Sequence, residues 1–221
     1  MQKKKPDSIR AVLFDMDGVI VNSEKHINRA AVEMFKEKGY EVDPEDFTQF
    51  TGMGENKYLG GVAEIYNIPS ELEKDKARTY EIYESLVREK LDPLPGVKDF
   101  IAKCKKRNLK LALASSADKI KVEINLREIG IDHDTFQGVI SAEDVTHKKP
   151  APDIFLKAAE KLDVSIENCL VIEDAVSGVK AGKTAGAKVL ALTTSFEAQD
   201  LVGADWIAGD LSGVGDEVVE W

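Results

Sequence analysis

Cysteine is scarce in this chain, with only Cys104 and Cys169 among 221 residues. Two are too few for a disulfide framework. Cys104 falls on an apolar helical face and Cys169 opens an apolar strand, so both read as small buried hydrophobes. Long apolar runs are missing too. None reaches the ~18 residues of a membrane span, and Met1-Gln-Lys-Lys-Lys-Pro6 lacks the apolar stretch of a signal peptide. A cytoplasmic, reducing setting is expected, with the three lysines as a solvated tail. Positive charge is in deficit: 30 Lys and Arg face 40 Asp and Glu, for a formal net charge of −10. That excludes general binding to nucleic acid or anionic membrane. A site for an anionic ligand must be locally positive against this background. Internal repeats and low-complexity segments are absent as well.

What is present begins with a strand. Ile9–Phe14 is apolar and is followed by Asp15-Met-Asp17-Gly-Val, two carboxylates one residue apart at the strand's carboxyl end. Ligands of parallel α/β sheets bind at that end. Paired buried carboxylates need a cation, and a hard divalent ion such as Mg²⁺ takes oxygen ligands.

Helical periodicity follows over Glu24–Lys38, with Ser23 as N-cap, Ile27, Ala30, Ala31, Met34 and Phe35 on one face, and Gly39 as stop. Shorter helical patterns cover Glu45–Phe50, Lys57–Tyr66 and Glu71–Glu89, around a Thr51-Gly-Met-Gly54 loop. The breaker cluster Asp92-Pro-Leu-Pro-Gly96 marks a boundary. Beyond it helices and strands alternate: helix Val97–Lys106, strand Leu109–Ala114, helix Lys119–Ile129 with Asp118 as cap, strand Phe136–Ile140, helix Asp153–Leu162, strand Cys169–Glu173, helix Val176–Ala185, strand Lys188–Leu192, and a short edge strand at Ala204–Ala208. This predicts an α/β fold. A Rossmann-like parallel sheet core spans 1–21 and 93–221, and an α-helical domain, 22–92, is inserted after the first strand. Trp206 and Trp221 read as packing residues, and Lys103, Lys105, Lys106 and Arg107 as a solvated helix surface.

Two further strand ends carry polar residues, Ser115-Ser116 and Glu173-Asp174, and between them lies the basic turn His147-Lys148-Lys149-Pro150 that leads into a helix. If the strands are parallel, these ends meet Asp15 and Asp17 at one edge. Ser115 or Asp174 could instead merely cap the following helices. Together the inventory suits phosphoryl transfer, which needs positioning and countercharge above all.

The ordered motifs Asp15-Met-Asp17-Gly-Val, Ser115, Lys149-Pro-Ala-Pro-Asp153 and Glu173-Asp174-Ala-Val-Ser-Gly178 resemble the haloacid dehalogenase superfamily. The nearest resemblance is to β-phosphoglucomutase-like and sugar-phosphate phosphatase members with a helical cap. It covers nearly the whole chain. It implies that Asp15 is the nucleophile forming an aspartyl-phosphate, and that Asp17 is the general acid and base. Asp15, Asp17 (through its carbonyl), Glu173 and Asp174 would hold Mg²⁺. Ser115, Ser116 and Lys149 would bind phosphate. The cap residues Gly52, Glu55 and Asn56 would contact a small phosphorylated metabolite, and a monomer is expected.

The chain departs from the family where Lys148 stands in place of the usual glycine, Asn22 in place of the common aspartate, and Ile27 where mutases carry a histidine. The Lys148 departure leaves open which of the two lysines faces inward. His26 reads as an ordinary cap-helix residue. A Mg²⁺-dependent phosphatase is the leading expectation and a sugar phosphomutase the alternative. The mutase needs a clamp for a second phosphate, and Glu55 stands where its arginine would be, although Lys57 or Lys119 could substitute. A catalytically silent binding protein is a third reading, against which every motif is intact.

Overall fold

Six short strands build one sheet in the order β3-β2-β1-β4-β5-β6, every pair parallel. They are β1 (Ala11–Phe14), β2 (Lys110–Ala114), β3 (Gly138–Ile140), β4 (Cys169–Glu173), β5 (Lys188–Leu192) and β6 (Trp206–Ala208). The computed structural model describes residues 8–221, so the lysine tail lies outside the described residues. β1 lies between β2 and β4, so the chain winds outward in both directions from it. The carboxyl end of β1 is therefore the switch point where such sheets open a crevice.

Between β1 and β2 the described chain is helical: α1 (Glu24–Glu37), α2 (Glu55–Ile65) and α3 (Leu72–Val87), with a 3₁₀ turn over Pro44–Phe50. Met34, Phe35, Phe47, Tyr58, Leu59 and Val62 give this stretch its own apolar cluster. The outgoing and returning chains run side by side, with a bridge between Val21 and Pro93 and the Leu94 N–H donating to the Ile20 carbonyl at 2.8 Å. Then follow α4 (Val97–Lys106), α5 (Lys119–Glu128), α6 (Asp153–Lys161) and α7 (Val176–Ala185).

The central strands are apolar on both faces because helices cover both. Val12, Phe14, Leu111, Leu113, Leu170 and Ile172 join Phe100 and Val122 on one side. Ala11, Leu13, Ala112, Cys169 and Val171 join Phe155, Ala158 and Ala181 on the other. Phe14 meets Phe100 and Phe136 edge-on, at 6.2 and 6.0 Å between centroids. Both cysteines are free and buried, as read. Trp206 and Trp221 pack against the first cluster.

Several local readings are corrected. Ser23 and Asp118 make no side-chain cap, because other partners take their oxygens. Asp118 pairs with Lys76 of α3 at 2.6 Å, and Ser23 turns to Asp17. α2 starts at Glu55 rather than Lys57. The basic end of α4 is not merely solvated: Lys103 and Arg107 pair with Asp216 at 3.0 and 3.3 Å, fastening the chain's last turn to the helix.

Candidate active site

The Asp15–Val21 loop turns immediately after β1. The Asp15 N–H donates to the Ile172 carbonyl of β4 at 3.0 Å, extending the sheet pairing by one residue. Met16 is fully buried in the core beneath the loop. Alternation then sends Asp15 and Asp17 to the other side, toward the crevice. Gly18 has φ +75°, and a Cβ there would lie 1.8 Å from the Asp174 Oδ2 atom. The glycine thus supplies both the turn and the room for Asp174.

Glu173 ends β4 and is 1% exposed. Its Oε2 accepts the N–H groups of Asp174 and Ala175 at 2.9 and 3.1 Å, and its Oε1 accepts Lys149 Nζ at 2.6 Å. A Cβ on Gly178 would sit 1.8 Å from this carboxylate, which explains the glycine closing that motif. Lys149 also bonds Asp15 Oδ1 and the Ala114 carbonyl. Lys149 therefore faces inward. Lys148 does not: its ammonium lies over Gly54 of the loop before α2.

Asp15, Glu173 and Asp174 each offer an oxygen within 4.8 Å of the others. At that separation two carboxylates repel by roughly 3–4 kcal/mol at an effective dielectric of 20. Burial pushes Asp15 upward, opposed by Lys149 and reinforced by Glu173. Burial, Glu173 and Asp15 push Asp174 upward. Burial works against the Lys149 charge, but Asp15 and Glu173 outweigh it and hold the ammonium above its usual range. Three carboxylates against one ammonium leave two negative charges, the charge that one divalent cation supplies. The donors are all oxygens, which suits Mg²⁺.

Asp17 is held by a different set. Its Oδ1 accepts the Ser23 hydroxyl and its Oδ2 accepts Lys121 Nζ at 2.7 Å. Lys121 is 4% exposed and also lies 4.0 Å from Glu55 Oε1. The sequence reading missed Lys121. Its signal was position: it shares a helical face with Ile124 and Asn125, three and four residues on, both buried.

A cavity of about 490 Å³ connects these groups, a volume suited to a small metabolite. Asp15, Asp17, Ser115, Ser116, Lys149 and Asp174 line it from the sheet, and Gly52 and Glu55 from the helical side. Asn56 does not line it. Glu55 is the first residue of α2, and the helical turn carries its neighbour out to solvent. His26, Lys57 and Lys119 also lie off the cavity wall. Lys57 and Lys119 face Glu64 and Glu123 instead. Among the described residues no helix is long and apolar enough to cross a membrane.

Known proteins resemble this chain in sequence and in fold. The chain is 41% identical over 211 residues to Protein SUPPRESSOR OF QUENCHING 1, chloroplastic, from Arabidopsis thaliana; the match covers 93% of this chain and 20% of that protein, so the chain spans only a fifth of that relative's length. It is 32% identical over 178 residues to a phosphorylated carbohydrates phosphatase of Thermotoga maritima, covering 80% of this chain and 82% of that one. Among solved structures, a β-phosphoglucomutase from Clostridium difficile superposes with a TM-score of 0.83 at 26% identity, covering 96% and 95% of the two chains. The sequence profile of one family matches residues 12–192, from within β1 to the end of β5. That span includes every carboxylate and lysine gathered at the crevice, and the chain belongs to the haloacid dehalogenase-like hydrolase family.

Proposed function

We propose that this protein is a Mg²⁺-dependent phosphatase for a small phosphorylated metabolite of the sugar-phosphate class. The observation carrying this reading is Lys149 bonded at once to Asp15 and Glu173, with Asp174 beside them. The chain divides its labour between two domains. Segments 1–21 and 93–221 form the catalytic core and 22–92 the cap, as the pairing of Val21 with Pro93 suggests. The name of the Thermotoga relative supports the substrate class.

The chemistry follows from the residues. An Asp15 oxygen attacks phosphorus, and the bond to the ester oxygen breaks, leaving an aspartyl-phosphate. Asp17 gives its proton to the departing alkoxide and then removes one from the water that attacks the intermediate. Phosphate and Asp15 are returned. Lys149 and the Ser115 hydroxyl take up charge on the transferring group's oxygens, and the partly exposed Ser116 stands next to them on the wall. Asp15 and Asp174 would hold Mg²⁺, with the Asp17 carbonyl. Glu173, whose oxygens are already engaged, backs this set and orients Lys149. Bound there, Mg²⁺ would supply charge neutralisation between nucleophile and phosphate dianion.

The mutase reading stands second. The fold likeness to a β-phosphoglucomutase favours it, but Glu55 on the cavity wall would repel a second phosphate, and neither Lys57 nor Lys119 lines that wall. Phosphate release from a panel of sugar phosphates tests the proposal. Turnover should require Mg²⁺ and vanish in Asp15→Asn with the circular dichroism spectrum unchanged. Conversion of β-glucose 1-phosphate into glucose 6-phosphate without free phosphate would replace it with the mutase.

A further inference from the structure

We propose that Lys121 is the positioning residue for Asp17, anchoring it where it can protonate a poor leaving group; this rests on the phosphatase reading above. Asp17 sits in a loop, yet both its oxygens are held: Oδ1 by Ser23 from the start of the helical stretch, Oδ2 by Lys121 at 2.7 Å. About 29% of the side chain stays exposed, and the residue lines the cavity. The carboxyl group is thus fixed in orientation and open to a ligand. A pinned acid meets the departing oxygen without first losing rotational freedom.

Lys121 is itself held. Its side chain is 4% exposed, so the ammonium is kept only by carboxylates. Asp17 is its close partner, and Glu55 of α2 stands at 4.0 Å. The helix that carries it, α5, is fastened to α3 at three points, one of them the pair of Arg127 with Glu84 at 2.8 Å. Asp118 pairs with Lys76 at 2.6 Å, and Asn125 accepts the Tyr83 hydroxyl. The anchor of the acid is therefore tied to the helical layer through these side-chain contacts. Lys121 touches no reacting atom in this scheme; it acts through Asp17.

Leaving-group dependence separates positioning from mere structural support. Alkoxide needs a proton to depart, whereas p-nitrophenolate leaves unaided. With saturating Mg²⁺, Lys121→Met in the full chain should lower kcat on glucitol 6-phosphate about 100-fold and on p-nitrophenyl phosphate by no more than about 5-fold. Lys121→Arg should restore much of the first loss. Ser23→Ala, which removes the other anchor without unpairing a buried charge, should give the same selectivity at smaller size. Equal losses on the two esters in both Lys121→Met and Ser23→Ala would overturn the inference while sparing the phosphatase reading. Absence of Mg²⁺-dependent phosphate release from either ester by the unaltered protein would overturn that reading and this inference with it.

Discussion

Two buried lysines face the same cavity, and they are balanced differently. Lys149 serves the sheet rim, where Asp15, Glu173 and Asp174 crowd within 4.8 Å and outnumber it. Lys121 serves the seam between α5 and the helical layer, where its close pairing is one to one with Asp17 and Glu55 stays at 4.0 Å. The rim is short of two positive charges and so invites a divalent cation. The seam, where Asp17 and Glu55 share one ammonium, is short of only one and so works as a scaffold. Both lysines are equally buried, so burial alone does not say which cluster binds an ion. The ratio of carboxylates to ammonium does.

The strongest way to break this contrast is to remove each part in turn. Lys149→Met should lower phosphatase turnover by about 1,000-fold or more, because it strips the rim of the buried ammonium bonded to Asp15 and Glu173. A loss no larger than that of Lys121→Met would erase the distinction between the clusters. Chelation comes next. EDTA should suppress turnover by orders of magnitude and lower the Tm of the unaltered protein, with Mg²⁺ reversing both. A seam variant such as Glu55→Gln should keep the full Tm response to Mg²⁺, since it leaves the rim carboxylates Asp15, Glu173 and Asp174 untouched.

Smaller effects sharpen the comparison. Gly18→Ala places a methyl group where Asp174 Oδ2 lies, on backbone at φ +75°. The Mg²⁺ concentration for half-maximal turnover should rise about 10-fold or more, while the same measurement on Gly39→Ala, which meets nothing within 4 Å, should show an unchanged Mg²⁺ requirement. The smallest effect is on stability against pH. Asp15 and Asp174 keep protons in the metal-free native state above the range where unfolded carboxylates release them, because burial raises both. The native state then binds more protons than the unfolded one, so stability falls as pH rises from about 4 upward. Metal-free Tm should decline from pH 5 to pH 8, and the Mg²⁺-induced rise in Tm should be larger at pH 8. A metal-free Tm that climbs over that interval would contradict the crowded-rim account.

Much of the rim was legible before any coordinates. Asp15, Ser115, Glu173 and Asp174 each stand at the end of an apolar strand, Lys149 stands in the turn leading into the next helix, and strands linked by helices run parallel. Their carboxyl ends must then share one edge, as the order β3-β2-β1-β4-β5-β6 bears out. The seam was not legible. Lys121 lies between Ile120, which is 46% exposed, and Val122, which is fully buried, and a lysine on a helix ordinarily points to solvent. Ser23 and Asp118 have the residue type of N-caps, so local chemistry suggested capping. Asp17, back across the loop after β1, and Lys76, from the distant α3, took their oxygens instead. Asn56 was grouped with Glu55 because they are adjacent, but adjacency on a helix separates side chains by about 100°.

The amino-acid sequence by itself determined the two-sided sheet, the helical insertion and the convergence of the rim, because strand alternation and right-handed parallel crossovers act locally and leave few arrangements. Only the tertiary structure decided that Lys149 rather than Lys148 turns inward, and that Lys121 is buried against Asp17 and Glu55. Those outcomes depend on what packs against each helix and turn, and the charge pairing that makes a buried ammonium tolerable comes from residues up to 134 positions away.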